Sequence, residues 1–302
     1  MKILLTNHAM CEPGGTERWT QTMAKTLVAL NHQVHLWTPE PGAESTILED
    51  IVAIHKRPPT TELFDLCLVN HNKCLQGINA NTSPKIFTAH GPHNPLELPI
   101  EGAGAYVAIS EEVQLANRSY GFQSTVIRNP ISTSEFKPYT VPATTLSNIL
   151  YLTKGQYPTF GDMLANVCTE RDINLDMIHA TRYPSCAVAL RMQQVDLVVT
   201  IGRGVLEAMA CGRNVLVCDE RTPNGPLGDG MLHPTNIELW RKRNFAGRTG
   251  NYLVDEPLLH QWLDTYDPTH IDAFEAYVDR NHNATRIVNK YIFLAERTFY
   301  NG

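Results

Sequence analysis

The chain has 302 residues, of which 43% are hydrophobic and 19% charged, with a formal net charge of -6; that is enough for two hydrophobic cores and too apolar for a disordered chain. No stretch approaches the run of about 20 apolar residues that a membrane span needs, and the start, Met1-Lys2-Ile3-Leu4-Leu5, is too short for a signal peptide, so a soluble, cytoplasmic protein is expected. Residues 1 to 140 carry 10 Lys/Arg against 13 Asp/Glu and the remainder 15 against 18, so neither half is a basic nucleic-acid-binding domain.

The first predicted element is a strand at Lys2 to Thr6. A glycine turn, Pro13-Gly14-Gly15-Thr16-Glu17, comes next, then Trp19, Met23, Leu27 and Leu30 at helical spacing, then a strand at Gln33 to Trp37. This is a βαβ unit, and Gly14 and Gly15 let backbone approach an anion or a substrate closely at the start of a helix whose dipole favours negative charge. Further strands are expected at Ile51 to Ile54, Leu66 to Val69, Ile86 to Thr88, Tyr106 to Ile109 and Thr125 to Ile127, with helices near Lys73 to Ile78 and Glu111 to Ala116. The second of these helices has Ser110 as its N-cap. Between Pro130 and Ser147 the periodicity stops in a Pro, Ser and Thr-rich stretch that reads as an interdomain linker.

The alternation then restarts: strand Ile149 to Leu152, helix Phe160 to Cys168, strand Asn174 to Ile178, helix Cys186 to Met192, strand Asp196 to Thr200, helix Val205 to Ala210 and strand Asn214 to Cys218. Stacked βα units of this kind build parallel sheets, which makes the chain an α/β protein of two Rossmann-like domains. The tail carries a helix over Ile287 to Phe299 with Ile287, Tyr291, Leu294 and Tyr300 as its apolar stripe. The basic cluster Arg241-Lys242-Arg243, with Arg248 nearby, is either a solvated face or a contact for an anionic partner such as a phosphorylated lipid or a nucleic acid. Seven cysteines without a C-x-x-C pair read as reduced thiols and core filler, not as a disulfide framework or zinc site.

The segment with most chemistry is Thr200-Ile201-Gly202-Arg203-Gly204-Val205-Leu206-Glu207. A buried strand runs through two glycines into a helix, so backbone N–H groups at the helix start can hold a phosphate. Arg203 adds a cation, and Glu207, one turn on, can accept hydrogen bonds from both hydroxyls of a ribose. From the glycines alone, a plain strand-to-helix turn explains the same pattern.

The longer string Glu207-Ala208-Met209-Ala210-Cys211-Gly212 resembles the family-4 glycosyltransferases (glycosyl transferases group 1) of the GT-B fold, whose hallmark is a Glu-x7-Glu motif ending in Glu-Ala-Met-Ala-x-Gly. The resemblance implies two Rossmann-like domains facing a central cleft. It divides the chain into an acceptor-side domain at 1-138, a nucleotide-sugar-binding domain at 139-280 and a C-terminal helix at 281-302 that packs back toward the first domain. It gives Glu207 the donor ribose. The family's first glutamate aligns with Val199, a departure. Pro13 to Glu17 resembles the family's N-terminal glycine loop, placing Gly14 and Gly15 at the donor. Thr88-Ala89-His90-Gly91 resembles the segment whose histidine points at the donor sugar, making His90 the catalytic candidate. Val126-Ile127-Arg128-Asn129-Pro130 resembles the strand that leaves the first domain. Lys154 stands where the family has an arginine for the donor diphosphate. Nothing replaces the lysine that usually comes after it, so Arg203 or Arg182 is expected to supply that charge.

The resemblance further implies transfer of a sugar from a nucleotide-sugar to a carbohydrate or glycolipid acceptor. Configuration is retained, the phosphate takes the acceptor's proton, and neither metal nor cofactor takes part. Peripheral contact with the inner face of a membrane fits such acceptors. Two alternatives stay open: a phage-type enzyme acting on a modified DNA base, against which the acidic balance argues, and a catalytically weak nucleotide-sugar-binding protein. A dehydrogenase needs G-x-G-x-x-G after the first strand, which Pro13 to Glu17 lacks. His90 and His93 as a metal pair are disfavoured by Pro92 between them.

Overall fold

The computed structural model describes residues 1–154, 158–221 and 224–300, and the chain divides into two compact units, Met1–Pro130 with His282–Gly302, and Ile131–Asn281.

In the first unit the elements run β1 (Lys2–Thr6), β2 (Ala9–Met10), α1 (Gly15–Ala29), β3 (Gln33–Trp37), β4 (Glu40–Pro41), α2 (Ala43–Thr46), β5 (Ala53–His55), β6 (Leu66–Asn70), α3 (Asn72–Gly77), β7 (Lys85–Ala89), β8 (Ala105–Ala108), α4 (Glu111–Ser119) and β9 (Thr125–Val126). Seven strands form one parallel sheet in the order β5-β3-β1-β6-β7-β8-β9, and β2 and β4 pair separately. Every residue of β6 and β7 is buried, as expected of central parallel strands covered on both faces. Ser110 caps α4, its hydroxyl accepting from the Val113 N–H at 3.3 Å.

The second unit contains β10 (Asn148–Thr153), α5 (Thr159–Glu170), β11 (Asn174–His179), α6 (Ser185–Met192), β12 (Leu197–Thr200), α7 (Arg203–Ala210), β13 (Asn214–Asp219), β14 (Leu227–Met231), α8 (Ile237–Trp240), β15 (Tyr252–Leu253), α9 (Glu256–Leu263) and most of α10 (Ile271–His282). Its sheet runs β11-β10-β12-β13-β14-β15. The first four strands are parallel, while β14 and β15 are antiparallel additions. The stretch expected to be a linker is instead packed. Ile131 and Phe136 lie in the second unit's core. Buried Asp196 accepts from the N–H groups of Ala143, Ser147 and Asn148, and buried Arg213 donates to the Thr140 carbonyl at 2.6 Å. Side-chain anchors hold this stretch in place of a periodic apolar pattern, and periodicity does not detect them.

The chain then returns to the first unit as α11 (Ala284–Ala295) and a π-helical turn at Glu296–Tyr300. Ile287, Val288, Tyr291 and Ala295 are buried in the first unit's core with Trp19, Met23 and Leu27 of α1. Tyr291 meets Trp19 edge-on at 5.8 Å and shares a hydrogen bond with Thr88 at 3.1 Å. Of the expected stripe, Ile287, Tyr291 and Leu294 pack on this core, while Tyr300 is 52% exposed and its hydroxyl donates to the Asp65 carbonyl. All seven cysteines are free thiols.

Candidate functional site

In the second unit the chain adds β11 on one side of β10 and then β12 on the other. An open α/β sheet takes its ligand in the crevice outside the strand ends where this reversal occurs. Thr153 and the half-buried Lys154 leave β10 there, and Thr200 leads through Ile201 into Gly202. Gly202 has φ 65° and ψ -128°, a conformation that side chains exclude. Gly204 is a matter of space: a Cβ on it would lie 2.5 Å from Thr200 Oγ1, and that hydroxyl is pinned by its bond to the Leu152 carbonyl at 2.9 Å. Helix α7 therefore starts hard against the sheet.

One turn into α7, Arg203 Nε donates to Glu207 Oε1 at 2.7 Å, with the Glu207 side chain wholly buried. A buried ion pair is retained only when its geometry is held, so each group fixes the other's orientation. Val199 sits inside β12 between Tyr151 and Leu216 and packs with Phe160 and Leu164. A carboxylate there would be buried among hydrocarbon.

The sequence gives no sign of chemistry in Asn244 to Arg248, yet this segment packs on the glycine turn. The Gly202 N–H donates to the Phe245 carbonyl at 2.8 Å, and the Asn244 side-chain amide would lie 3.9 Å from a Cβ on Gly202. Asn244 and Phe245 are both left-handed, with φ 51° and 52°, a conformation that is costly for an aromatic residue. Burial of the Phe245 ring in the core holds it. A second feature without a sequence signal is Asp219 at the end of β13. It accepts from the Tyr151 hydroxyl at 2.8 Å, the Thr153 hydroxyl at 2.7 Å, the Glu220 N–H at 2.9 Å and Arg221 Nε at 2.8 Å. Burial and this carboxylate push the Tyr151 phenol above its ordinary range. The basic cluster is occupied in part: Arg241 pairs with Glu238 at 2.5 Å and Arg243 donates to the Arg248 carbonyl at 2.5 Å. Arg182 is exposed in the loop after β11.

The first unit reverses in the same way between β1 and β6, and polar side chains gather at those strand ends. His90, just past β7, bonds through Nε2 to Asn70 Oδ1 at 2.9 Å and lies edge-on to Trp19 at 5.4 Å. Asn70 and Asn7 each donate to the Thr20 hydroxyl at 3.2 Å. His71, with φ 69°, accepts the His8 N–H on Nδ1 at 3.1 Å; burial and the neighbouring His8 depress its pKa to about 4, so it is neutral at ordinary pH. Asn7 Oδ1 and Trp19 Nε1 are buried without a hydrogen-bond partner. Buried polar atoms are nearly always paired, and these two are exceptions beside the Asn7, Thr20 and Asn70 side chains. At the glycine loop, α1 begins at Gly15, and the Glu17 carboxylate folds over Gly14 so that a Cβ there would lie 1.9 Å from Oε2; Gly15 has open space.

No family model and no curated protein matches this sequence. Solved structures match over nearly the whole chain. A glycosyltransferase from Rickettsia africae ESF-5 superposes with a TM-score of 0.63 at 14% identity, covering 100% of this chain and 99% of that one. AviGT4, a glycosyltransferase involved in avilamycin A biosynthesis, gives 0.58 at 13%, covering 98% and 97%. An alpha-glucosyltransferase in complex with UDP and DNA containing an HMU base gives 0.58 at 10%, covering 98% and 99%. The fold is GT-B-like. At such identities the likeness is one of architecture.

Within this GT-B-like chain, the one group of His, Cys, Asp and Glu among the described residues that is close enough for a shared metal is His35, His55 and Glu62. His35 Nδ1 and His55 Nε2 are 2.8 Å apart with ring centroids 5.1 Å apart and planes inclined by 24°. The centroid gap is as long as the nitrogen gap plus both ring radii allow, so the rings lie end to end. Their lone pairs face each other across a shared proton instead of converging on an ion, and Lys2 holds Glu62 at 2.7 Å.

Proposed function

We propose that this chain transfers a sugar from a nucleotide-sugar donor to a carbohydrate or glycolipid acceptor, with retention of configuration and without a divalent ion. The observation that carries the reading is the placement of the Gly202 to Glu207 string and Lys154 at the strand-reversal crevice of the second unit. Similarity of fold to glycosyltransferases supports it. As the diphosphate leaves, negative charge grows on its oxygens and positive charge on the sugar ring. Lys154, Arg203 and the start of α7 beyond Gly202 stabilise the leaving group, and Glu207, oriented by Arg203, takes the ribose hydroxyls. The donor phosphate accepts the acceptor's proton, so no carboxylate base is called for.

The polar crevice of the first unit, with Asn7, Asn70 and His90, suits hydroxyl groups. His90 serves there as a hydrogen-bonding group whose orientation is set by Asn70. The net charge of -6 disfavours a DNA backbone as the acceptor.

The test is incubation with UDP-, GDP- and ADP-sugars, with and without EDTA, reading release of the nucleoside diphosphate and the anomer formed by NMR. One donor turned over equally in EDTA, with its configuration kept, supports the reading; inversion or loss of turnover in EDTA contradicts those parts of it. The buried Val199 favours a second reading, a protein that binds the nucleotide-sugar but transfers it poorly. Saturable donor binding with no release of diphosphate selects that one.

A further inference from the structure

The outer side of α11 presents cations around a bare aromatic ring. Arg286, Lys290, Phe293 and Arg297 recur at intervals of four, three and four residues, the spacing of one helical face, and all four are exposed, Phe293 to 58%. The Arg297 guanidinium lies 5.8 Å from the Phe293 ring centre. Arg128, from the end of the first sheet, approaches Lys290 closely enough that, after partial burial, it and Arg286 hold the lysine amine below its ordinary range. Neither Lys290 nor Arg297 forms an ion pair among the described residues. Acidic groups near these cations include Glu296, next to Arg297 in sequence, and Glu111, 3.9 Å from Arg128.

Like charges crowded on one helix face repel, while α11 is held by its opposite, buried face and Lys290 and Arg297 are exposed on this one. We propose that this face docks on an anionic lipid surface, the basic side chains among the headgroups and Phe293 inserted at the boundary beneath them. The aromatic ring is what points to lipid. Phosphates of a nucleic acid satisfy the charges equally well, but a half-exposed phenyl ring gains from an adjoining apolar layer, and such pairing of basic and bulky apolar residues is how surface helices hold to membranes. Docking of this face is independent of sugar transfer.

The experiment is co-sedimentation of the full chain with phosphatidylcholine vesicles, with and without phosphatidylglycerol, at low and high salt. Wild type should bind only the anionic vesicles and should release in salt. Basic residues near an anionic surface each add to its attraction, so the double variant Lys290→Glu/Arg297→Glu should lose affinity by tenfold or more. Phe293→Ser, with every charge kept, should weaken binding severalfold. The substituted residues are exposed, and unchanged melting temperatures will show that the variants fold. No binding to anionic vesicles, or binding unaltered by the double reversal, overturns the proposal. So does an unaffected Phe293→Ser variant combined with equal binding to duplex DNA, which would identify a site for phosphates instead of a lipid surface.

Discussion

His71 illustrates how one side chain ties stability to the polar crevice. Its Nδ1 accepts the His8 N–H, so protonation there both charges a buried ring and breaks a hydrogen bond. The folded-state pKa of about 4 lies below the ordinary 6.5. A depressed pKa means that the unfolded chain binds the proton first. The stabilisation is therefore complete above about pH 6.5 and is lost as pH falls toward 4, amounting to about 3 kcal/mol over that interval. Melting temperature measured from pH 7 to 4 should fall, and His71→Asn, which tolerates positive φ and keeps an acceptor, should flatten the decline. An identical slope in the variant would move the effect elsewhere. At Glu207, Gln should keep the shape while removing the charge opposite Arg203. Because Glu207 is assigned the ribose hydroxyls, a loss of nucleoside diphosphate affinity of tenfold or more is expected by calorimetry, with free nucleoside weakened as well; unchanged binding of both would remove Glu207 from the donor site.

Among the elements, the turn from β12 into α7 is largely legible in the sequence: Gly202, Gly204 and Glu207 are close neighbours along the chain, and local sterics fix their spacing. Its support is not legible. Phe245 and Asp219 act through contacts far away along the chain, Asp219 with Tyr151 and Thr153, and Phe245 with Gly202. Strand β14 has no sequence signature because Gly228, Asp229 and Gly230 break every strand pattern. At 228 a Cβ would lie 2.9 Å from the Val217 carbonyl oxygen and 3.0 Å from the Trp262 ring, and at 230 the backbone has φ 100°, a conformation that favours glycine. Gly204→Ala should destabilise the second unit by about 1–3 kcal/mol through its clash with Thr200, measurable by urea unfolding. Thr200→Ala should recover part of that in the double variant; additive losses would show that the contact is not the cause.

For the molecule as a whole, the chain leaves its first unit at Pro130 and re-enters it at His282, so the last helix completes a core whose other strands and helices precede residue 131. The alternation of βα units shows two sheets in the sequence, and the tail's apolar stripe shows a helix to be packed. The partner of that stripe, α1, becomes visible only through Tyr291 against Trp19. Tyr291→Ala should cost about 3–5 kcal/mol. Hydrogen exchange should then accelerate in the first sheet with the second unchanged, whereas uniform acceleration would mean that the two units unfold together.

A donor site at the β10 and β12 strand ends is tested most directly by thermal unfolding of wild type and Glu207→Gln with UDP, GDP and ADP in EDTA. One nucleotide, at about 100 times its dissociation constant, should stabilise wild type by about 2.7 kcal/mol and stabilise the variant far less. Equal stabilisation of both proteins, or of neither by any nucleotide, would contradict a donor site there.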